Sequence, residues 1–203
     1  MKVEKIAVGS LDTNCYLIQS GEEIGVIDPG EDAEKLIEAI EAKGDEGVSL
    51  KFVLATHFHW DHVNAVDELL KEYGADFYIG EKDLQPLEES AEIDARPDST
   101  LAEGDEVKLG KNVLKVMETP GHSPGSISLL EEDEGLAFVG DLVFSNGFGR
   151  TDLPGGSREE LEDSLSRLVN LAGDWEVYSG HGPIFRLSEK VANSPFLADL
   201  KDR

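Results

Sequence analysis

Three of the chain's five histidines fall within Thr56-His57-Phe58-His59-Trp60-Asp61-His62, directly behind the apolar run Phe52-Val53-Leu54-Ala55. A short apolar run that ends so abruptly reads as a buried strand, which places the histidines in the loop at its C-terminal end. In an extended segment, side chains two residues apart point the same way, so His57 and His59 reach one point together. Asp61 and His62 lie where the chain turns into a following helix and approach from another direction. Three imidazoles and a carboxylate this close supply two partial ligand sets for metal ions. The fold must hold that strand rigidly enough to aim the loop.

The other two histidines sit in the same kind of place. His122 follows the apolar-patterned Leu114-Lys115-Val116-Met117, within Thr119-Pro120-Gly121-His122-Ser123-Pro124-Gly125. His181 follows Glu176-Val177-Tyr178 between Gly180 and Gly182, and Asp141 comes directly after Phe138-Val139-Gly140. Loops carried by a rigid sheet are where sites are usually built. A lone histidine in a loop is more often a hydrogen-bonding residue than a ligand, and an Asp after Gly is more often a turn former. All five histidines in such positions are hard to explain that way. If the strand ends share one edge, the five histidines, Asp61 and Asp141 converge.

The rest of the chain supplies the scaffold. Residues 3–8, 15–18 and 24–28 are β-leaning runs, the third closed by Pro29-Gly30. Residues 33–43 show helical spacing, with Leu36, Ile37 and Ile40 on one face and Gly44 beyond the end. Val63, Val66, Leu69, Leu70 and Tyr73 mark an amphipathic helix ended by Gly74. In the second half, 114–117, 126–130, 136–139 and 175–178 read as strands. A helix from about 158 to 171 starts with a capping-box pattern, Ser157 as N-cap and Glu160 three residues on. Two sets of strands with interspersed helices predict an α/β fold of stacked sheets.

No repeat or linker divides the 203 residues, so one domain over 1–203 is expected. No apolar run approaches the roughly 20 residues of a membrane-spanning helix. The N-terminus has no apolar secretory segment, and the single Cys15 cannot form an internal disulfide, which predicts a cytoplasmic protein. Cys15 sits in a strand and reads as core. With 43 acidic against 18 basic residues the net charge is -25, the opposite of a nucleic-acid footprint. The acidic surface fits either plain solubility or adaptation to a salty cytoplasm.

The His-x-His-x-Asp-His signature, with His122, Asp141 and His181 downstream, resembles that of the metallo-β-lactamase superfamily, and within it the glyoxalase II-like hydrolases. The likeness runs from the N-terminal strands through His181. It implies a four-layer αβ/βα sandwich, two packed mixed β-sheets with helices on the outer faces and the site along one edge. It also implies one metal on His57, His59 and His122 and a second on Asp61, His62 and His181, with Asp141 bridging. In lactamases that use a Cys ligand, that Cys would stand at Asp141, so antibiotic hydrolysis is not the expected role. Only 22 residues follow His181, so the helical glutathione-gripping domain of full-length glyoxalase II is not expected.

The implied chemistry is hydrolysis of a small-molecule thioester or related ester by a metal-bound hydroxide at a binuclear site. Asp61 would also orient the nucleophile, and the metals would stabilise the oxyanion. Zinc is the first expectation for the two divalent ions, with iron or manganese as alternatives. Neither nucleic acid nor membrane is an expected partner, and no sequence feature sets an oligomeric state. Gly147-Phe148-Gly149-Arg150-Thr151-Asp152 follows the Asp141 strand. The planar fork of Arg150 suits a substrate carboxylate or sulfonate, while an Arg150–Asp152 contact within the loop is the equal alternative. This segment is similar to loops of short glyoxalase II-like hydrolases and of persulfide dioxygenases, so a mononuclear iron persulfide dioxygenase is the alternative activity.

Overall fold

The computed structural model describes residues 1–43, 49–90 and 92–201. The first sheet runs in chain order: β1 Lys2–Val8, β2 Thr13–Ser20, β3 Glu23–Ile27, β4 Ser49–Ala55, β5 Asp76–Gly80 and β6 Ser99–Leu101. Its first three strands pair antiparallel, and β3 through β6 pair parallel. The parallel half needs crossovers, which are supplied by α1 Ala33–Glu41, then α2 Trp60–Val63 with α3 Val66–Tyr73, then α4 Leu84–Ser90. The second sheet begins with β7 Glu106–Leu109, β8 Asn112–Glu118, β9 Ile127–Glu131 and β10 Leu136–Gly140, all antiparallel neighbours. A small hairpin, β11 Val143–Phe144 and β12 Gly147–Phe148, leads to α5 Arg158–Val169. The chain then returns to the sheet, with β13 Glu176–Ser179 parallel to β10 and β14 Phe185–Arg186 at the edge, and ends in α6 Leu187–Ala192 and α7 Pro195–Leu200.

Alternation along the strands makes four layers. Phe52 and Leu54 of β4 join Tyr16, Ile18, Leu129 and Phe138 in the core between the sheets. Val53 and Ala55, pointing the other way, pack with Leu36 of α1 and Leu69 of α3. On the far side Ala137, Val139 and Val177 meet Leu165 and Leu168 of α5, Leu187 of α6 and Leu197 of α7. Strands buried on both faces read as continuous apolar runs, which is why 52–55 and 136–139 stood out. Truncating a side chain as buried as Leu168 to Ala would cost about 2–5 kcal/mol.

The expected strands and helices are present, with shifted ends. The Ser157 hydroxyl accepts from the Glu160 amide at 3.3 Å and caps α5, which ends at Val169 rather than 171. Gly74 ends α3 in the left-handed conformation, while Gly44 lies outside the described residues. The helix expected from Val63 through Tyr73 is broken in two. The Ala65 amide, at the break, donates to the Pro29 carbonyl at 3.0 Å, so a tertiary contact interrupts the ladder. Cys15 is fully buried against the helix side of the first sheet. No helix among the described residues is long and apolar enough to cross a membrane.

Candidate metal centre

The C-terminal ends of β4, β8, β10 and β13 carry the seven candidate residues. His57 lies in the bend that follows β4, His59 is in extended backbone just before α2, and Asp61 and His62 ride on the single turn of α2. His122 lies in the turn between β8 and β9, Asp141 follows β10 directly, and His181 follows β13 after Gly180. Potential ligand atoms of His57, His59 and His122 lie within 4.8 Å of one another, and so do those of Asp61, His62 and His181. Asp141 stands between the two groups. Its Oδ2 is 3.6 Å from His122 Nε2 and 3.7 Å from His181 Nε2, and its Oδ1 is 3.5 Å from His62 Nε2. The Gly180 backbone backs this point so closely that an added Cβ would fall 2.2 Å from Asp141 Oδ1 and 2.7 Å from His62 Cε1.

Hydrogen bonds on the outer side fix which nitrogens face inward. The Arg150 carbonyl, which can only accept, lies 2.8 Å from His122 Nδ1, so that nitrogen carries the proton and Nε2 presents a lone pair. Thr56 Oγ1 donates its one proton to Asp28 Oδ2 at 2.8 Å and so accepts from His57 Nδ1 at 3.1 Å. That leaves His57 Nε2 bare, buried and without a protein partner. His59 Nδ1 meets His122 Nε2 at 2.9 Å. With the His122 proton on Nδ1, Nε2 is the acceptor here and His59 Nδ1–H donates to it; a cation bound at this point would take the place of that shared proton.

The second group is organised alike. His62 Nδ1 stands 3.1 Å from Asp28 Oδ2, at ion-pair distance, and neither ring nitrogen makes a hydrogen bond of good geometry. Asp61 Oδ2 accepts from Thr13 Oγ1 at 3.0 Å and lies 3.3 Å from His181 Nε2. A buried polar atom without a hydrogen bond costs about 1–3 kcal/mol, yet His57 Nε2, His62 Nε2 and Asp141 Oδ1 all lack one, the last two meeting only at 3.5 Å. An imidazole-and-carboxylate donor set of this kind suits zinc, iron or manganese. The residues fit divalent cations.

Charge is divided unevenly between the groups. Burial, then the neighbouring imidazoles, holds His57 well below the usual histidine range and brings His59 down to about 4. Burial alone would depress His62 too, but the carboxylates of Asp28, Asp141 and Asp61 outweigh it and push it up to about 9. His181 is likewise raised against its burial by Asp61 and Asp141. Burial would lift Asp61, but His181 and His62, with the Thr13 hydroxyl, hold it well below the carboxylate range. His57 and His59 are thus held as neutral imidazoles, whereas the carboxylates around His62 and His181 favour their protonated forms.

Arg150 approaches with its backbone rather than its side chain. Its carbonyl holds His122, while its exposed guanidinium grips Asp152 through two hydrogen bonds of 2.7 Å. Beside it, Phe148, Leu161, Leu165 and Phe196 line an open cleft of about 430 Å³. Sequence reasoning missed four residues that hydrogen-bond to the candidate ligands or to the loops carrying them: Asp28, Thr13, Thr56 and Asp83, the last through the Phe58 amide and the Ser123 hydroxyl. All four are buried. Asp28 adopts a left-handed backbone (φ 55°), and an Asp before Pro-Gly was legible only as a turn.

The pattern of the metallo-beta-lactamase superfamily matches residues 8–181. The chain belongs to that superfamily. Two members align over nearly their whole length: a probable metallo-hydrolase of Bacillus subtilis, 34% identical over 97% of this chain and 98% of its own, and a hydroxyacylglutathione hydrolase of Haemophilus influenzae, 36% identical over 97% and 98%. Among solved superfamily structures, the BLEG-1 B3 metallo-beta-lactamase superposes with a TM-score of 0.86 at 31% identity, covering 97% of this chain and 99% of that one. TTHA1623 in a di-iron-bound form gives 0.83 at 33%, covering 96% and 100%. ETHE1 from Myxococcus xanthus gives 0.82 at 28%, covering 98% and 85%. The superfamily's sandwich is the fold described above, with a His/Asp cluster that can hold metal.

Proposed function

We propose that the protein is a metal-dependent hydrolase of small thioesters, glyoxalase II-like, with His57, His59 and His122 holding one divalent ion and Asp61, His62 and His181 a second, bridged by Asp141. The observation that carries this reading is the position of Asp141, whose two oxygens face both histidine groups within 3.5–3.7 Å. Two divalent cations bound there would supply a nucleophilic water at neutral pH and Lewis-acid polarisation of a carbonyl. Asp61, anionic and anchored by Thr13, would accept a hydrogen bond from that water and aim it at the acyl carbon. The imidazole protons on His57 and His122, turned outward to Thr56 and Arg150, keep the inward lone pairs fixed. The full-length likeness to a hydroxyacylglutathione hydrolase supports a hydroxyacyl thioester as substrate class. Arg150 stands at the rim of the cleft beside the centre, where a substrate carboxylate would compete with Asp152 for its fork.

A second reading, a mononuclear iron persulfide dioxygenase, draws on the first group. His57, His59 and His122 with Asp141 Oδ2 could serve one iron alone and leave positions open. One pair of assays separates the two. Zinc- or iron-loaded protein is given S-lactoylglutathione, and separately glutathione persulfide under air. Hydrolysis predicts thiol release without oxygen uptake, zinc being sufficient and His62→Ala sharply impaired. Oxygen consumption in the iron form alone, with sulfite production and no thioester cleavage, would overturn it.

A further inference from the structure

The turn after β5, Glu81–Asp83, carries no candidate ligand, yet it is tied to both segments that hold the first histidine group. Asp83 is fully buried. Its Oδ2 accepts from the Phe58 amide at 3.1 Å and from the Ser123 hydroxyl at 2.6 Å, and its Oδ1 accepts from the Gly125 amide at 2.6 Å. Phe58 lies between His57 and His59, and Ser123 follows His122. One carboxylate therefore spans the two loops whose histidines must meet.

The backbones are in contact as well. An added Cβ at Gly125 would fall 2.1 Å from the Asp83 nitrogen, and one at Gly80 would fall 2.0 Å from the Gly125 carbonyl oxygen. The neighbouring Lys82 ammonium turns away to Glu118 at 3.0 Å, so the carboxylate is answered by hydrogen bonds and not by that cation. An unpaired buried carboxylate is costly to keep. It is also acceptor-only, which neither water nor an amide reproduces, and it can take three donors from three directions at once.

We propose that Asp83 is a positioning residue for the first metal: without touching the metal, it sets the separation of the His57–His59 loop from His122 and thereby the affinity of that site. This rests on the metal-centre reading above. Loss of such outer partners typically weakens metal binding by about 10–100-fold. In Asp83→Asn the amide must turn its NH2 toward at least one N–H or O–H donor, so the span opens although its volume is unchanged. The effect should be confined to the group the clamp spans, since Asp61 and His62 are held instead through Thr13 and Asp28.

The test reads zinc and cobalt affinity by competition titration in two backgrounds, with His62→Ala isolating the first group and His59→Ala the second. Asp83→Asn should raise the dissociation constant about tenfold or more in the His62→Ala background, and less than about twofold in the His59→Ala background. Leu168→Ala, a core truncation in α5 on the second sheet that lowers the melting temperature, should leave both constants unchanged. Equal weakening in both backgrounds, or none in the first, would overturn the clamp. A wild-type chain that binds no metal would overturn the metal-centre reading itself, a distinct outcome. Ser123→Ala removes one donor and leaves both backbone bonds to Asp83. It should weaken the first group alone by severalfold, and it decides the matter if Asp83→Asn fails to fold.

Discussion

Asp28 stands behind His62, with Oδ2 3.1 Å from Nδ1, while the same carboxylate accepts from the Thr56 amide at 2.7 Å and the Thr56 hydroxyl at 2.8 Å. It thus orients His62 directly and His57 through Thr56, one residue from each group. In Asp28→Asn an amide cannot accept from all of these at once: either His62 Nδ1–H or a Thr56 donor meets an NH2. Asn tolerates the left-handed backbone at this position, so the fold should survive. We expect metal affinity to fall about 10–100-fold, with His62 the more affected. Metal titration of the variant against unchanged far-UV circular dichroism checks this.

Asp141 tests the bridge. Asp141→Asn keeps the shape but removes the charge that faces His62, His122 and His181. Both metals should weaken and thiol release should fall with them. A variant that retains two tightly bound metals and full activity would refute the bridge.

Strands β4 and β10 were legible because burial on both faces leaves unbroken apolar runs, β8 because its buried and exposed residues alternate, and the ligand pattern because histidine is scarce. Residues 76–109 gave no such signal. Their strands β5, β6 and β7 have three to five residues each, and none carries an apolar run longer than Phe77-Tyr78-Ile79. The two-residue strands β11 and β12 lie below any periodicity. The break between α2 and α3 was illegible because its cause, the Pro29 carbonyl, comes from 36 residues away. Asp28 and Asp83 were hidden among 43 acidic residues. Only burial separates them from solvated acids, and burial is a property of the folded chain.

Arg150 separates binding from folding. Its guanidinium is exposed and, among the described residues, held by Asp152 alone, so Arg150→Ala should scarcely move the melting temperature. If the fork also takes a substrate carboxylate, KM for S-lactoylglutathione should rise about tenfold with kcat little changed, the signature of lost ground-state binding. Asp152→Ala frees the fork and should lower KM. A melting shift with unchanged kinetics would assign the pair to loop structure only.

Asp83 gives stability an unusual pH dependence. Burial pushes its carboxyl up to about 6, against the opposing pull of Ser123, Gly125 and Phe58, from an unfolded value near 3.8. The folded state therefore binds this proton more tightly than the unfolded chain does. The associated stability is fully present below pH ~4 and is lost as pH rises through about 6, the reverse of an ion-paired carboxylate. The span amounts to on the order of 3 kcal/mol. Many other carboxylates titrate over the same range, so the quantity to read is the difference between wild type and Asp83→Asn, whose residue 83 does not titrate. Urea unfolding of the metal-free proteins should show wild type gaining on the variant as pH falls from about 6.5 to 4. A gap that narrows on acidification would mean that the three donors outweigh burial and hold the carboxyl below its unfolded value.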